Sequence, residues 1–374
     1  MARSSESEAG TLLSFGAEKL GRLWRALDMD EGLGRQAQEI FETLSSAWGR
    51  APARGPRRFP SDITDDHWPF EFSLAVDGGA PELRYLVEVQ SPTPSHSTNW
   101  EASRAMNRVL ADRYGVSLDR LSQVETLFAP GPQCRRFSMW HAVCFRDGRP
   151  PAFKVYLNPL SWGEAGARAV VMAALARLGF PPASAALLPS GPRDSVIYFS
   201  LDLSADEGAR AKVYTAHVNG TVLDVEAGVA PATGYVPGKA TAFCEALTGH
   251  HGPFTSRPVI TCLAFVEGKS APTTGTVHVP VRCYAPDDAE VRERVASAIH
   301  AGGERPYRRA LEALGGPRLH DGLGMQTYAS LRLEKGHDRF TVYLAPEARP
   351  VVARAPASVG ARARRQDSAP PSRP

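Results

Sequence analysis

Five times along this chain, two strand-like stretches flank a short turn sequence, and helical patterns fill the intervals. The stretches are 69–77 with 82–90, 136–146 with 152–158, 195–203 with 210–218, 259–267 with 276–285, and 327–334 with 338–345. Their turns include Asp77-Gly78-Gly79-Ala80-Pro81, Asp147-Gly148-Arg149-Pro150 and Lys335-Gly336-His337. Helical spacing covers 8–48, 98–114, 117–126, 161–179, 237–248, 287–301 and 305–314. Within these, Ser161-Trp162-Gly163-Glu164 has the spacing of a capping box, and Asp287-Asp288 is a helix start. Hairpins joined by helices can close a barrel inside a helical ring. About ten antiparallel strands make a barrel wider than the eight-stranded kind that side chains fill, so the expected fold is α+β with a central solvent chamber. Residues 1–348 are read as one domain. The Arg-, Ala-, Pro- and Ser-rich stretch 349–374 is read as a disordered tail.

The second strand of several hairpins carries one further pattern, a cationic or polar residue, a spacer and a tyrosine. The instances are Lys154-Val155-Tyr156, Lys212-Val213-Tyr214, Arg282-Cys283-Tyr284 and Thr341-Val342-Tyr343, with Arg84-Tyr85 a looser relative. Residues i and i+2 of a strand share a face. Each segment therefore sets a phosphate-binding group beside an aromatic hydroxyl. Lys and Arg hold a diphosphate through charge-assisted bonds, and tyrosine faces stabilise a carbocation by roughly 0.5–2 kcal/mol each. A phosphorylated, cation-forming substrate such as an allylic diphosphate needs both. In Phe70-Glu71-Phe72-Ser73, Glu71 shares a face with Ser73 and is a candidate base or acceptor for an indole N–H, which can only donate. His141, on the strand expected to pair with that of Lys154, is a candidate proton carrier.

Composition narrows the classes. A formal net charge of +3 gives no footing for general nucleic-acid binding. No stretch approaches the ~20 apolar residues that span a bilayer. The polar, acidic start of the chain is not a signal peptide. Five cysteines without a CxxC pair point to reduced thiols, a cytoplasmic location and no structural zinc. There is no Asp-Asp-x-x-Asp, Walker loop, GxGxxG, GxSxG or HExxH. A bound diphosphate is then held by protein cations, with no Mg2+ requirement and no cofactor.

In the order and spacing of Pro69-Phe-Glu71-Phe-Ser73, Leu83-Arg84-Tyr85, Phe153-Lys154-Val-Tyr156-Leu-Asn-Pro159, Arg210-Ala-Lys212-Val-Tyr214, Arg282-Cys-Tyr284-Ala-Pro286 and Thr341-Val-Tyr343-Leu-Ala-Pro346, residues 10–347 resemble the dimethylallyltryptophan synthase family of aromatic prenyltransferases. Length and composition are similar to its bacterial branch. The resemblance implies the αββα (ABBA) barrel of ten antiparallel strands. It implies that Glu71 accepts the indole N–H and assists deprotonation. It implies that Arg84, Lys154, Arg210, Lys212 and Arg282 bind diphosphate, and that Tyr156, Tyr214, Tyr284 and Tyr343 shield the dimethylallyl cation. His141 lies where some relatives place a proton-moving lysine. The implied reaction moves a dimethylallyl group from dimethylallyl diphosphate to the indole of tryptophan or a small derivative, in secondary metabolism, by a monomer or homodimer. A phenolic acceptor, a longer prenyl donor, a barrel that only binds a small ligand, and a single-strand nucleic-acid binder stand as alternatives.

Overall fold

The computed structural model describes residues 10–299, 302–315, 319, 322–334 and 338–350. Two N-terminal helices, α1 (Leu12–Ala26) and α2 (Glu31–Ser45), precede the first hairpin, β1 (Phe70–Val76) and β2 (Glu82–Glu88). Next come α3 (His96–Tyr114), α4 (Asp119–Val124), β3 (Met139–Phe145) and β4 (Ala152–Leu157). Then follow α5 (Glu164–Arg177), α6 (Pro182–Ala186), β5 (Asp194–Asp202) and β6 (Arg210–His217). After α7 (Val222–Val229) and α8 (Lys239–Thr248) come β7 (Val259–Val266) and β8 (Thr274–Val279). The described chain ends with α9 (Asp288–Ala298), α10 (Glu304–Gly315), β9 (Gly322–Leu323), β10 (Gln326–Leu333), β11 (Arg339–Leu344) and β12 (Arg349–Pro350). Ten of the strands close an antiparallel barrel in the order β1-β11-β10-β8-β7-β6-β5-β4-β3-β2, the expected ABBA architecture. Short β9 and β12 pair apart from it.

Alternation decides which side chains enter the barrel. On β1, Phe70, Phe72, Leu74 and Val76 face outward and are buried under the helices, whereas Glu71, Ser73 and Ala75 face inward. Phe70 meets Phe41 of α2 edge-on at 5.3 Å, and the Tyr85 hydroxyl donates to the Ala37 carbonyl of the same helix at 3.0 Å. On the far side α7 lies so close to the wall that a Cβ at Gly228 would stand 2.6 Å from Thr261 Oγ1, so only glycine fits.

Because consecutive strands form the hairpins, the strand ends that the five hairpins join lie at one end of the barrel and the helical connections at the other. The second strand of each hairpin therefore climbs from the turn end toward the helix end. Residues along it stack in the same vertical order each time.

Three local expectations are corrected. The second strand of the fourth hairpin runs from Thr274 to Val279, not from 276 to 285. Pro280 has no N–H for the ladder and ends it, and Val281–Cys283 form a 3-10 turn. Arg282 and Tyr284 thus stand off the barrel wall. Ser161 is not the cap of α5. It lies inside a 3-10 turn, Pro159–Trp162, with its hydroxyl donating to the carbonyls of Phe128 and Asn158, while Gly163 precedes the helix. Asp287 does cap α9, accepting from the Glu290 amide at 2.8 Å. Arg349 and Pro350, placed in the tail by composition, pair with β9; residues 351–374 and the turn 335–337 lie outside the described residues.

Candidate active site

The chamber is layered along its axis. At the turn end lie Glu82, Asp202, Arg210, Arg332 and Arg339, part of the wall of a cavity of about 760 Å³ that opens there. One step up, Arg84, Lys154, Lys212, Thr276, Ser330 and Thr341 surround a space of about 40 Å³. Above them Tyr156, Tyr214, His278 and Tyr343 form a belt that also borders a cavity of about 410 Å³ at the helix end. Glu71, Leu86, Trp140, Tyr198, Ile260 and Tyr328 line that upper cavity, with Arg136, Arg257, Asp62 and Asp65 also on its wall. The shared vertical order explains the sequence pattern. Arg210-x-Lys212-x-Tyr214, Lys154-x-Tyr156, Thr276-x-His278 and Arg339-x-Thr341-x-Tyr343 are all ascending strands read from charge to ring.

The aromatic belt is nearly continuous. Ring centroids are 5.7 Å apart for Tyr156–Tyr214, 5.7 Å for Tyr214–His278 and 5.8 Å for His278–Tyr343. Trp140 and Tyr198, with ring centroids 5.5 Å apart, extend the aromatic wall beside their register partners Tyr156 and Tyr214. Burial raises the hydroxyl pKa of Tyr156, Tyr214 and Tyr343, so all three remain phenols.

At the turn end, just below the cation layer, two carboxylates serve as counter-ions. Asp202 accepts from Arg210 Nε at 2.8 Å and lies 3.9 Å from Lys154 Nζ, and Glu82 binds Arg84 and Arg339. Burial would raise the Asp202 carboxyl, but Lys154 and Arg210 outweigh it and hold it below the usual carboxylate range. Among the described residues, Lys212 makes no such ion pair. Burial, with Arg210 and Lys154 nearby, pulls its ammonium well below the ordinary lysine value. An incoming polyanion relieves that repulsion directly.

Glu71 sits at the upper edge of the belt. It is 7% exposed and accepts from the Thr327 hydroxyl at 2.6 Å. Burial pushes its carboxyl up to about 8, against the lowering effect of that bond. At the mouth, Arg136 donates to Asp62 at 2.7 Å and to the Tyr198 hydroxyl at 2.8 Å, and Arg257 donates to Asp65 at 2.9 Å. Among the described residues, no group of three or more His, Cys, Asp or Glu could hold a metal ion.

Of the residues singled out from the sequence, Glu71, Arg84, Lys154, Tyr156, Arg210, Lys212, Tyr214 and Tyr343 face the interior. Three do not. His141 points outward: its register neighbours are Val87 and Val155, and its Nε2 shares a 2.8 Å hydrogen bond with Oδ1 of Asn107 on α3. Burial drops its pKa to about 3, which keeps it a neutral packing group. Arg282 pairs with Asp65 at 2.5 Å, outside the cation layer. The Tyr284 hydroxyl donates to the Arg257 carbonyl at 2.6 Å, and its ring packs on His250 and Phe254. Sequence reasoning missed Trp140, Tyr198, Tyr328, His278, Arg332 and Arg339. Two-residue steps from Thr341 to Arg339 and from Lys154's partner Ala142 to Trp140 lead to two of them. Tyr198 and Tyr328 each follow a register shift, which hides them from strict alternation.

A closed ten-strand barrel whose interior passes from cations to an aromatic belt to a buried carboxyl is the chamber of an aromatic prenyltransferase. The model of the tryptophan dimethylallyltransferase family matches residues 20–229, and the chain belongs to that family. It is 32% identical to 6-dimethylallyltryptophan synthase from Micromonospora olivasterospora, whose crystal structure holds DMASPP and Trp. That likeness covers 91% of this chain and 99% of the other, with a TM-score of 0.84. The 5-dimethylallyl tryptophan synthase from Streptomyces coelicolor is 30% identical, over 94% of this chain and all of its own, with a TM-score of 0.85. Prenyltransferase anuH from Penicillium roqueforti is 38% identical over 76 residues, a match that spans 19% of this chain and 17% of that protein.

Proposed function

We propose that the protein transfers a dimethylallyl group from dimethylallyl diphosphate to the indole of L-tryptophan or a small tryptophan derivative. The observation that carries this reading is the set of residues shared by the two inner cavities. Tyr156, Tyr214, His278 and Tyr343 border both the cation layer and the upper cavity, so a group leaving the first must enter the second between aromatic faces.

Arg84, Lys154, Lys212 and Arg339 take the diphosphate and offset the charge that develops on it as the C–O bond breaks. The tyrosine faces stabilise the allyl cation and keep water from it. The indole lies in the upper cavity with its N–H toward Glu71, whose carboxylate form accepts that hydrogen and raises the electron density of the ring. The Arg136–Asp62 and Arg257–Asp65 pairs at the mouth present opposite charges to an amino acid's carboxylate and ammonium groups. The buried cations take the role that Mg2+ plays elsewhere, so we infer a metal-independent reaction. Five cysteines, none of them in a disulfide, support a cytoplasmic location, and no described helix is long and apolar enough to cross a membrane.

The test is incubation of the purified protein with L-tryptophan and dimethylallyl diphosphate in EDTA, read by mass spectrometry. A product heavier than tryptophan by one C5H8 unit is expected. Turnover of phenolic acceptors alone, or restoration by Mg2+ of an activity lost in EDTA, contradicts the proposal.

A further inference from the structure

Electrophilic substitution leaves one proton to dispose of, and it departs from the ring atom to which the allyl group has just attached. Whatever accepts it stands where donor and acceptor meet. Four side chains border both cavities there, and three are phenols held in their O–H form. The fourth is His278, the only one of the four with a basic lone pair. It occupies, on β8, the position that tyrosine takes on β4, β6 and β11. Its Nε2 is buried without a hydrogen-bond partner among the described residues, unlike that of His217, which the fold ties to Thr261 at 2.9 Å. Glu71, one layer higher on β1, is already engaged by Thr327 and faces the indole N–H in the reading above.

We propose that His278 is the proton acceptor that completes the reaction, an inference that rests on the prenyl-transfer reading. In the step, the ring atom–H bond breaks, its electron pair restores the aromatic sextet, and the proton passes to the imidazole. The imidazolium is stabilised by the diphosphate anion just released beneath it, which carries the proton away as it leaves. The same neighbourhood explains the resting state: burial, with the charges of Lys212 and Arg84, holds the His278 pKa down at about 3, so the ring waits as a free base until the diphosphate's negative charge is present.

The test compares wild type with H278Q, H278Y and H278A under saturating tryptophan, with melting temperatures measured alongside. All three variants are expected to lose about 10²–10⁴-fold in kcat, as for loss of a general base, while the donor KM moves less than about threefold. Free imidazole is expected to restore part of the H278A activity. A folded H278Q or H278Y that keeps wild-type kcat overturns the assignment, as does a defect confined to donor KM, which marks His278 as a diphosphate contact only. A wild type that makes no prenylated tryptophan refutes the reaction itself, a separate outcome from failure of the His278 assignment.

Discussion

Lys212-Val213-Tyr214 and Arg282-Cys283-Tyr284 are the same pattern in sequence and different objects in the molecule. The first lies mid-strand on β6, where the pleat sends both Lys212 and Tyr214 into the chamber. The second lies two residues beyond a proline that ends β8, and its two side chains serve the connection around Asp65 and Arg257. A motif of alternate residues carries chemistry only where the backbone alternates. The histidines repeat the lesson. His141 and His278 are both neutral and both pulled down to about 3 by burial, yet parity turns one toward α3 and the other toward the chamber.

Substitutions that cross the barrel wall separate the two sides. The largest effect is expected from Glu71→Gln, which keeps the shape of the side chain and removes the charge that, in the proposed reaction, activates the indole: kcat falls about 10²-fold or more, with donor KM nearly unchanged. A kcat within about threefold of wild type would remove Glu71 from the chemistry.

On the outer face, His141→Leu leaves Asn107 Oδ1 without its partner. It is expected to cost about 1–3 kcal/mol of stability in denaturant titration while kcat per folded molecule stays put. A large loss of kcat in the folded variant would put His141 back among the catalytic groups.

The inner carboxyl also sets stability and activity against each other with pH. Its folded pKa of about 8 lies above the ordinary value of 4.5, so the fold favours the neutral acid. The stability from that preference is complete below the ordinary value and is lost as pH rises through about 8. Activity, which in the proposed reaction needs the carboxylate, is expected to rise over the same interval. Thermal melts and kcat/KM between about pH 6 and 9 should move in opposite directions, and Glu71→Gln should flatten the fall in Tm. Parallel trends in wild type would contradict the assignment.

The smallest effect is expected from Tyr284→Phe, which removes one hydrogen bond to a carbonyl: about 1 kcal/mol of stability and less than a twofold change in kcat.

Much of the architecture was legible because its causes are local. Turn sequences such as Asp77-Gly78-Gly79 and Asp147-Gly148 mark the hairpins, and alternation on β1, β4, β6 and β11 assigns Glu71, Tyr156, Tyr214 and Tyr343 to the inner face. What sequence reading missed depends on where alternation begins and stops. Pro280 moved the end of β8, which misplaced Arg282 and Tyr284; His278 shares their parity and was passed over because the pattern sought a tyrosine. Register shifts on β5 and β10 concealed Tyr198 and Tyr328. For His141 the parity was available from Lys154, since Ala142 is the residue opposite Lys154 and its neighbour must point the other way. Helix α7 is too short for its period to stand out from flanking turns.

The central claim, that strand placement and not the motif makes a cation a donor contact, is tested most directly by the KM for dimethylallyl diphosphate in Lys212→Ala and Arg282→Ala. Loss of one buried charge-assisted contact predicts an increase of about 10- to 100-fold for Lys212→Ala, with Arg282→Ala within about threefold of wild type. Equal increases in the two variants, or an increase for Arg282→Ala alone, would contradict the account.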